Sequence, residues 1–203
     1  MALGFSYAMV ESALVELHHI APDEVAALRS RFGMLQRGGL LGQQPGRGAR
    51  LQYGPDELHR VVLAFELTQA GTSPATVLKL IQNHWQRLRE ICLDAERANV
   101  RETPNIVLLL NSLAAMDGPE QAIPNINHTT MDKLAAALSL AIRGDDDQRD
   151  PPARCLLVNL SAQLRRFHTA LANYHLSPAM LAGLDAAPKS RRAATPKRTK
   201  TRR

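Results

Sequence analysis

The chain has 203 residues, 45% of them hydrophobic and 22% charged, which is the composition of a folded protein able to bury one ordinary core or two small ones, not of a disordered one. No apolar run approaches the ~18 residues that a membrane span needs, and Glu11 and Glu16 stand where a secretory signal would be basic, so the chain reads as soluble and cytosolic. The net charge of +6 belongs to the C-terminus: residues 188–203 hold eight basic side chains and no acid, which leaves 17 basic against 19 acidic side chains in residues 1–187.

Val10, Ala13, Leu14 and Leu17 share one face of a predicted helix over residues 7–19. After a tight break, Pro22 at a first helical position, with Asp23 and Glu24 in the opening turn, starts a second helix. Val25, Leu28, Phe32 and Leu35 repeat along it at helical spacing until Gly38 and Gly39, and its other faces carry Arg29, Ser30, Arg31, Gly33, Gln36 and Arg37. The 29 residues from Val25 to Tyr53 include five arginines and no acid, a local basic surface. Residues 38–58 hold six glycines and two prolines and predict a β-hairpin or loop, with a short extended arm from Arg50 to Gln52 before Tyr53.

Asp56 and Glu57 open a third helix with the stripe Leu58, Val61, Val62 and Phe65, and Gly71 ends it. Ser73 as a cap and Pro74 at the first position begin a fourth, which runs without a breaker to about Asn99. Along it Val77, Ile81, His84, Leu88, Ile91 and Ala95 recur at alternating steps of four and three, which is heptad spacing. Such a stripe serves either a subunit interface or an intramolecular core, and spacing alone leaves both open.

Two apolar runs, Ile106 to Leu110 and Cys155 to Leu160, predict short strands covered on both faces. Between them lie a Pro/Asn-rich loop and a helix from Met131 to about Ile142, and a last helix spans Ser161 to about Tyr174 with Leu164, Phe167, His168 and Leu171 inward. The expected fold is mainly α with minor β (α+β). Its expected divisions are residues 1–72, a long linking helix over 73–99, a dimerisation or partner region over 100–176 and a disordered basic tail over 177–203. Two covered strands in so small a unit, together with the heptad stripe, predict a homodimer through Val77, Ile81, Leu88 and Ile91.

Candidate chemistry is sparse. Cys92 and Cys155 are 63 residues apart with no histidine at metal-ligand spacing, and the aspartates 145–147 and 150 lack the spacing of a calcium loop. No P-loop, dinucleotide fingerprint, zinc-protease motif or nucleophile elbow occurs, so neither an enzyme nor a cofactor or metal is expected. Residues 188–203, with Lys189, Arg191, Arg192, Lys197, Arg198 and Lys200, have no large apolar side chain and suit a polyanion such as nucleic acid.

The N-terminal part, about residues 9–97, resembles the winged helix-turn-helix of the mercury-resistance regulator (MerR) type. The residues that carry the likeness are Gly39-Leu40-Leu41, then Arg47 to Tyr53 running into Gly54-Pro-Asp-Glu-Leu58, then Gly71-Thr-Ser-Pro-Ala-Thr-Val-Leu78. In that family an arginine and two tyrosines sit about one turn before the Gly-Leu-Leu, whereas here Leu28 and Arg29 lie a turn further upstream, and the wing arginine is one residue out of place. The resemblance implies a sequence-specific, dimeric DNA-binding regulator. Arg29, Ser30, Arg31, Gln36 and Arg37 would contact double-stranded DNA from the recognition helix, and Arg47, Gly48, Arg50 and Tyr53 from the wing. Otherwise these arginines form a solvated face paired with Asp23 or Glu24. Other readings of the same features are an architectural or phage DNA-packaging protein, and an adaptor that grips another regulator or RNA polymerase. Nucleoid association in the cytoplasm follows from the first reading. Fifteen arginines against two lysines in residues 1–187 fit a GC-rich bacterial or phage coding sequence.

Overall fold

The computed structural model describes residues 4–41, 52–111, 125–143 and 155–173. In chain order these form β1 (Phe5–Ser6), α1 (Tyr7–His18), a 3-10 turn (Pro22–Glu24), α2 (Val25–Arg37), β2 (Gln52–Tyr53), α3 (Pro55–Gln69), α4 (Pro74–Arg101) and β3 (Ile106–Asn111). They continue with β4 (Asn125–Thr130), a second 3-10 turn, α5 (Leu134–Arg143), β5 (Cys155–Asn159) and α6 (Leu160–Ala172). The described residues are mostly helical with a few antiparallel strands, the α+β class expected.

Capping explains most of the helix boundaries. Ser6 accepts the Met9 N–H at 3.4 Å, Ser73 the Thr76 N–H at 3.2 Å and Asn159 the Ala162 N–H at 3.1 Å, so each supplies an acceptor to a first turn that has none of its own. Pro55 opens α3, and the Glu57 carboxylate accepts the Gly54 N–H at 3.0 Å. This third helix is buried around most of its circumference, at Leu58, His59, Val61, Val62, Leu63, Ala64, Phe65 and Leu67. A helix apolar on nearly all sides is a central one, and α1, α4 and α6 gather round it.

The heptad stripe of α4 is used inside the subunit. Val77, Ile81, Leu88 and Ile91 are each fully buried within the single chain and join one hydrophobic cluster that runs from Phe5 to Leu171. The expectation that these four form a dimer interface is therefore corrected: side chains already sealed against α3, α6 and β3 have no surface left for a second copy. Nor does α4 run uninterrupted. His84, with φ −121° and ψ 19°, breaks it, although no proline or glycine lies nearby. The bend lets the first half reach α2, where Gln82 donates to Gly38 O at 2.6 Å, while the second half lies under α6. Because the cluster is continuous, the divisions expected at residues 72 and 99 do not mark separate cores.

The C-terminal sheet has three strands, not two. β3 is central and antiparallel to both neighbours, with Leu108 opposite His128 on β4 and Val158 on β5. β4 lies in a stretch that reads as loop, because Asn125-Ile-Asn-His-Thr-Thr130 carries a single large apolar residue, as suits an edge. Ile106 to Leu110 are buried on both faces as expected, but β5 is not, since Leu157 is 40% exposed. A second missed strand, β1, sets Phe5 opposite Tyr53 and Ser6 opposite Gln52.

Ser161 locks the sheet to the helices. Fully buried, it donates from Oγ to Ala95 O at 3.3 Å and accepts the Ile106 N–H at 2.9 Å, while Asn99 Nδ2 donates to Ser161 O at 2.9 Å. Ser161→Ala leaves a buried N–H and a buried C=O without that partner, so a loss of about 1–3 kcal/mol is expected in chemical denaturation. A loss within about 0.5 kcal/mol, the range of an inconsequential substitution, would show that the neighbours re-pair without the hydroxyl.

Candidate nucleic-acid interface

Helix α2 has one face fixed in the core and one free. Leu28, Phe32 and Leu35 are buried, and Phe32 meets Tyr7 edge-on at 5.0 Å and Tyr53 at 5.7 Å. Outside the core face Arg29, Ser30, Arg31 and Arg37 are exposed, and the half-exposed Gly33 has open space where a Cβ would stand. No acidic residue occurs within the helix. Four of the residues expected to meet DNA are thus exposed, but at about 100° per residue only Ser30, Gly33 and Arg37 share the outermost face, with Arg29 on the flank toward α1 and Arg31 on the flank toward α3.

Within this set the side chains differ. Arg29 is engaged along its Nε/Nη2 edge by Glu11 of α1: Nε lies 3.1 and 3.0 Å from Oε1 and Oε2, and Nη2 lies 2.7 Å from Oε1. The partner is neither Asp23 nor Glu24. The guanidinium holds the Glu11 carboxyl below its ordinary range, and the carboxylate raises Arg29 in turn. Arg37 Nε donates to Gly33 O at 3.2 Å, a bond along its own helix. Arg31 forms no hydrogen bond or ion pair among the described residues, so its fork is available to a ligand.

Two expected contacts are corrected. Tyr53 is fully buried between Phe32 and the β1 pairing, and burial pushes its phenol up to about 12. A side chain with no exposed surface cannot reach a phosphate. Gln36 donates from Nε2 to the Tyr53 oxygen at 2.5 Å, so the half-buried amide holds the tyrosine in place instead of pointing outward. Arg47, Gly48 and Arg50 lie outside the described residues, as do Lys189, Arg191, Arg192, Lys197, Arg198 and Lys200 and the aspartates near residue 146.

The C-terminal end of α2 is anchored from two other helices. Gly39 takes φ +75°, a left-handed conformation that favours glycine. A Cβ on Gly38 would stand 2.7 Å from Leu78 Cδ1. Arg60 of α3 donates from Nη1 to Leu40 O at 3.1 Å while its guanidinium lies 4.4 Å over the Trp85 ring of α4. Leu40 and Leu41 are buried beneath it. The Gly-Leu-Leu thus fixes where α2 ends. No protein-family model matches the chain, and no curated protein does.

Other polar groups are structural in character. His59 of α3 and His168 of α6 each place Nε2 3.3 Å from the same Oε1 of Glu96 on α4, tying three helices together. Burial holds His168 below its ordinary range, with Glu96 working the other way. Among the described residues no group of His, Cys, Asp or Glu is arranged to hold a metal. Cys92 is fully buried, and burial drives its thiol far above the range in which it would be a nucleophile. No described helix is long and apolar enough to cross a membrane.

Proposed function

We propose that this protein is a sequence-specific DNA-binding regulator in which α2 enters the major groove. The observation that carries the reading is the acid-free exposed face of α2, which presents Ser30 and Arg37 with the unpaired Arg31 on its flank, on a helix whose inner face is locked by Phe32, Tyr53 and the Gly38–Leu41 anchor. Arginine is the side chain whose fork matches guanine O6 and N7, and a reading helix must be rigidly held for that match to discriminate. Two further features support a winged helix-turn-helix. The β1–β2 pair holds Gln52 and Tyr53 against Phe5 and Ser6, and after β1 the order α1, α2, β2, α3, α4 is in keeping with the MerR-type module. A two-fold dimer on a pseudo-palindromic site belongs to the same reading, through a surface other than the buried stripe of α4.

Selection of bound duplexes from a random library, using the full chain, tests this. A recovered consensus supports it, and Arg31→Ala should then erode the preference at one position by about 1–3 kcal/mol. Tight binding without preference would mean an architectural DNA protein, and no binding at all would mean an adaptor for another protein. Removal of residues 188–203 should weaken all duplexes alike and flatten the dependence of log affinity on log salt by about 0.9 for each phosphate that the tail had neutralised. An unchanged slope would show that the tail takes no part.

A further inference from the structure

The Glu11–Arg29 pair is asymmetric in a way that a surface ion pair is not. The Glu11 side chain is only 12% exposed and that of Arg29 is 62% exposed, so the carboxylate is part of the framework and the guanidinium projects from it. Tyr7, one turn before Glu11 on α1, stands beside the same carboxylate; burial together with that carboxylate raises its phenol to about 12, and its ring packs edge-on against Phe32 of α2. The carboxylate is therefore flanked by the phenol and the guanidinium. A guanidinium has two edges that can each make a pair of parallel hydrogen bonds, the Nε/Nη2 edge and the Nη1/Nη2 edge. Glu11 takes the first, and among the described residues Nη1 bonds to nothing.

We infer that Glu11 is a positioning residue that clamps Arg29 by its Nε/Nη2 edge and presents the Nη1/Nη2 edge to a guanine. The inference rests on the reading of α2 as the groove helix. A free arginine on that helix would reach whichever phosphate lies nearest, adding affinity for every sequence. Clamped to a carboxylate, its side chain is fixed in direction and its charge is largely neutralised, so it gains little from the phosphates and contributes where base geometry matches. Glu11 thus lowers binding to random DNA and raises discrimination.

The test measures binding of the full chain to its selected duplex and to a scrambled duplex of equal length, at several salt concentrations. Glu11→Gln is expected to lower the ratio of the two affinities about fivefold or more, as one bidentate base interaction disappears. The same variant should steepen the salt slope by about 0.9, as the freed arginine takes up a phosphate. In an Arg29→Ala background Glu11→Gln is expected to change neither quantity. A merely structural role would weaken both duplexes together without steepening the slope. If Glu11→Gln loses its helical circular dichroism, Tyr7→Phe, which loosens the carboxylate but keeps its charge, should shift ratio and slope in the same direction by less. An unchanged ratio and slope, or equal changes in both backgrounds, would overturn the clamp while leaving α2 as the reading helix. If the unmodified chain prefers no duplex, the DNA reading fails first and the clamp with it.

Discussion

Leu88→Asp is expected to unfold the protein, with loss of helical circular dichroism at room temperature. Leu88 is fully buried on α4 within the cluster that joins all the main helices. Truncating such a leucine to alanine costs about 2–5 kcal/mol. Aspartate adds a carboxylate to a cluster of buried apolar side chains, and the neighbouring Arg89 is turned toward Asp56 at 2.9 Å. Together these reach at least about 5 kcal/mol, the lower end of the whole stability of a domain. Val100→Asp on the same helix, where the side chain is 81% exposed, should stay within about 0.5 kcal/mol of the unmodified chain. The measurement is denaturation of both variants beside sedimentation of the unmodified chain. A Leu88→Asp variant that kept its helices and changed only its mass would return the stripe to a subunit interface.

That stripe shows where sequence periodicity stops being informative. Steps of four and three place Val77, Ile81, Leu88 and Ile91 on one face whichever body covers that face, and only the docking of α3 and α6 shows that the cover is the chain itself. The helices were legible because their caps and stripes are local: Ser73 and Pro74 mark the start of α4 within three residues of what they cap. The missed strands have no such signal. β1 is two residues long and finds its partner some 46 residues on, while β4 is polar and acquires strand geometry by pairing along β3. In the candidate interface the exposed arginines of α2 followed from its periodicity. Tyr53 did not, because an aromatic residue after a basic segment reads the same whether it meets a phosphate or turns inward onto Phe32 and Gln36. Glu11 was invisible for the same reason, since nothing in an 18-residue separation links it to Arg29.

Glu66→Gln is expected to stabilise the protein at pH 8 by up to about 3 kcal/mol and to leave it unchanged near pH 4. Glu66 on α3 is 12% exposed, and burial pushes its carboxyl up to about 7, with Arg166 of α6 pulling the other way. The unfolded chain releases this proton near the ordinary value of 4.5, so from about pH 4.5 to 7 the folded state holds more proton than the unfolded one, and stability falls as pH rises. Glutamine cannot ionise and escapes that fall; a shift of one unit corresponds to about 1.4 kcal/mol. Two histidines act in the opposite sense. His18, whose Nδ1 lies 3.8 Å from Glu66, and His168 are both held below 6.5 by burial, so each contributes stability that is present above that value and is lost as pH falls below it. In the unmodified chain these contributions oppose one another between about pH 5 and 7 and flatten the profile. In Glu66→Gln the histidines act alone, and stability should decline steadily with acid. Urea denaturation of both proteins at mildly acidic, near-neutral and mildly alkaline pH reads the difference directly. Destabilisation by Glu66→Gln on the alkaline side would mean that Arg166 holds the carboxylate ionised, and that the junction of α1, α3 and α6 is sealed by an ion pair instead of a protonated acid.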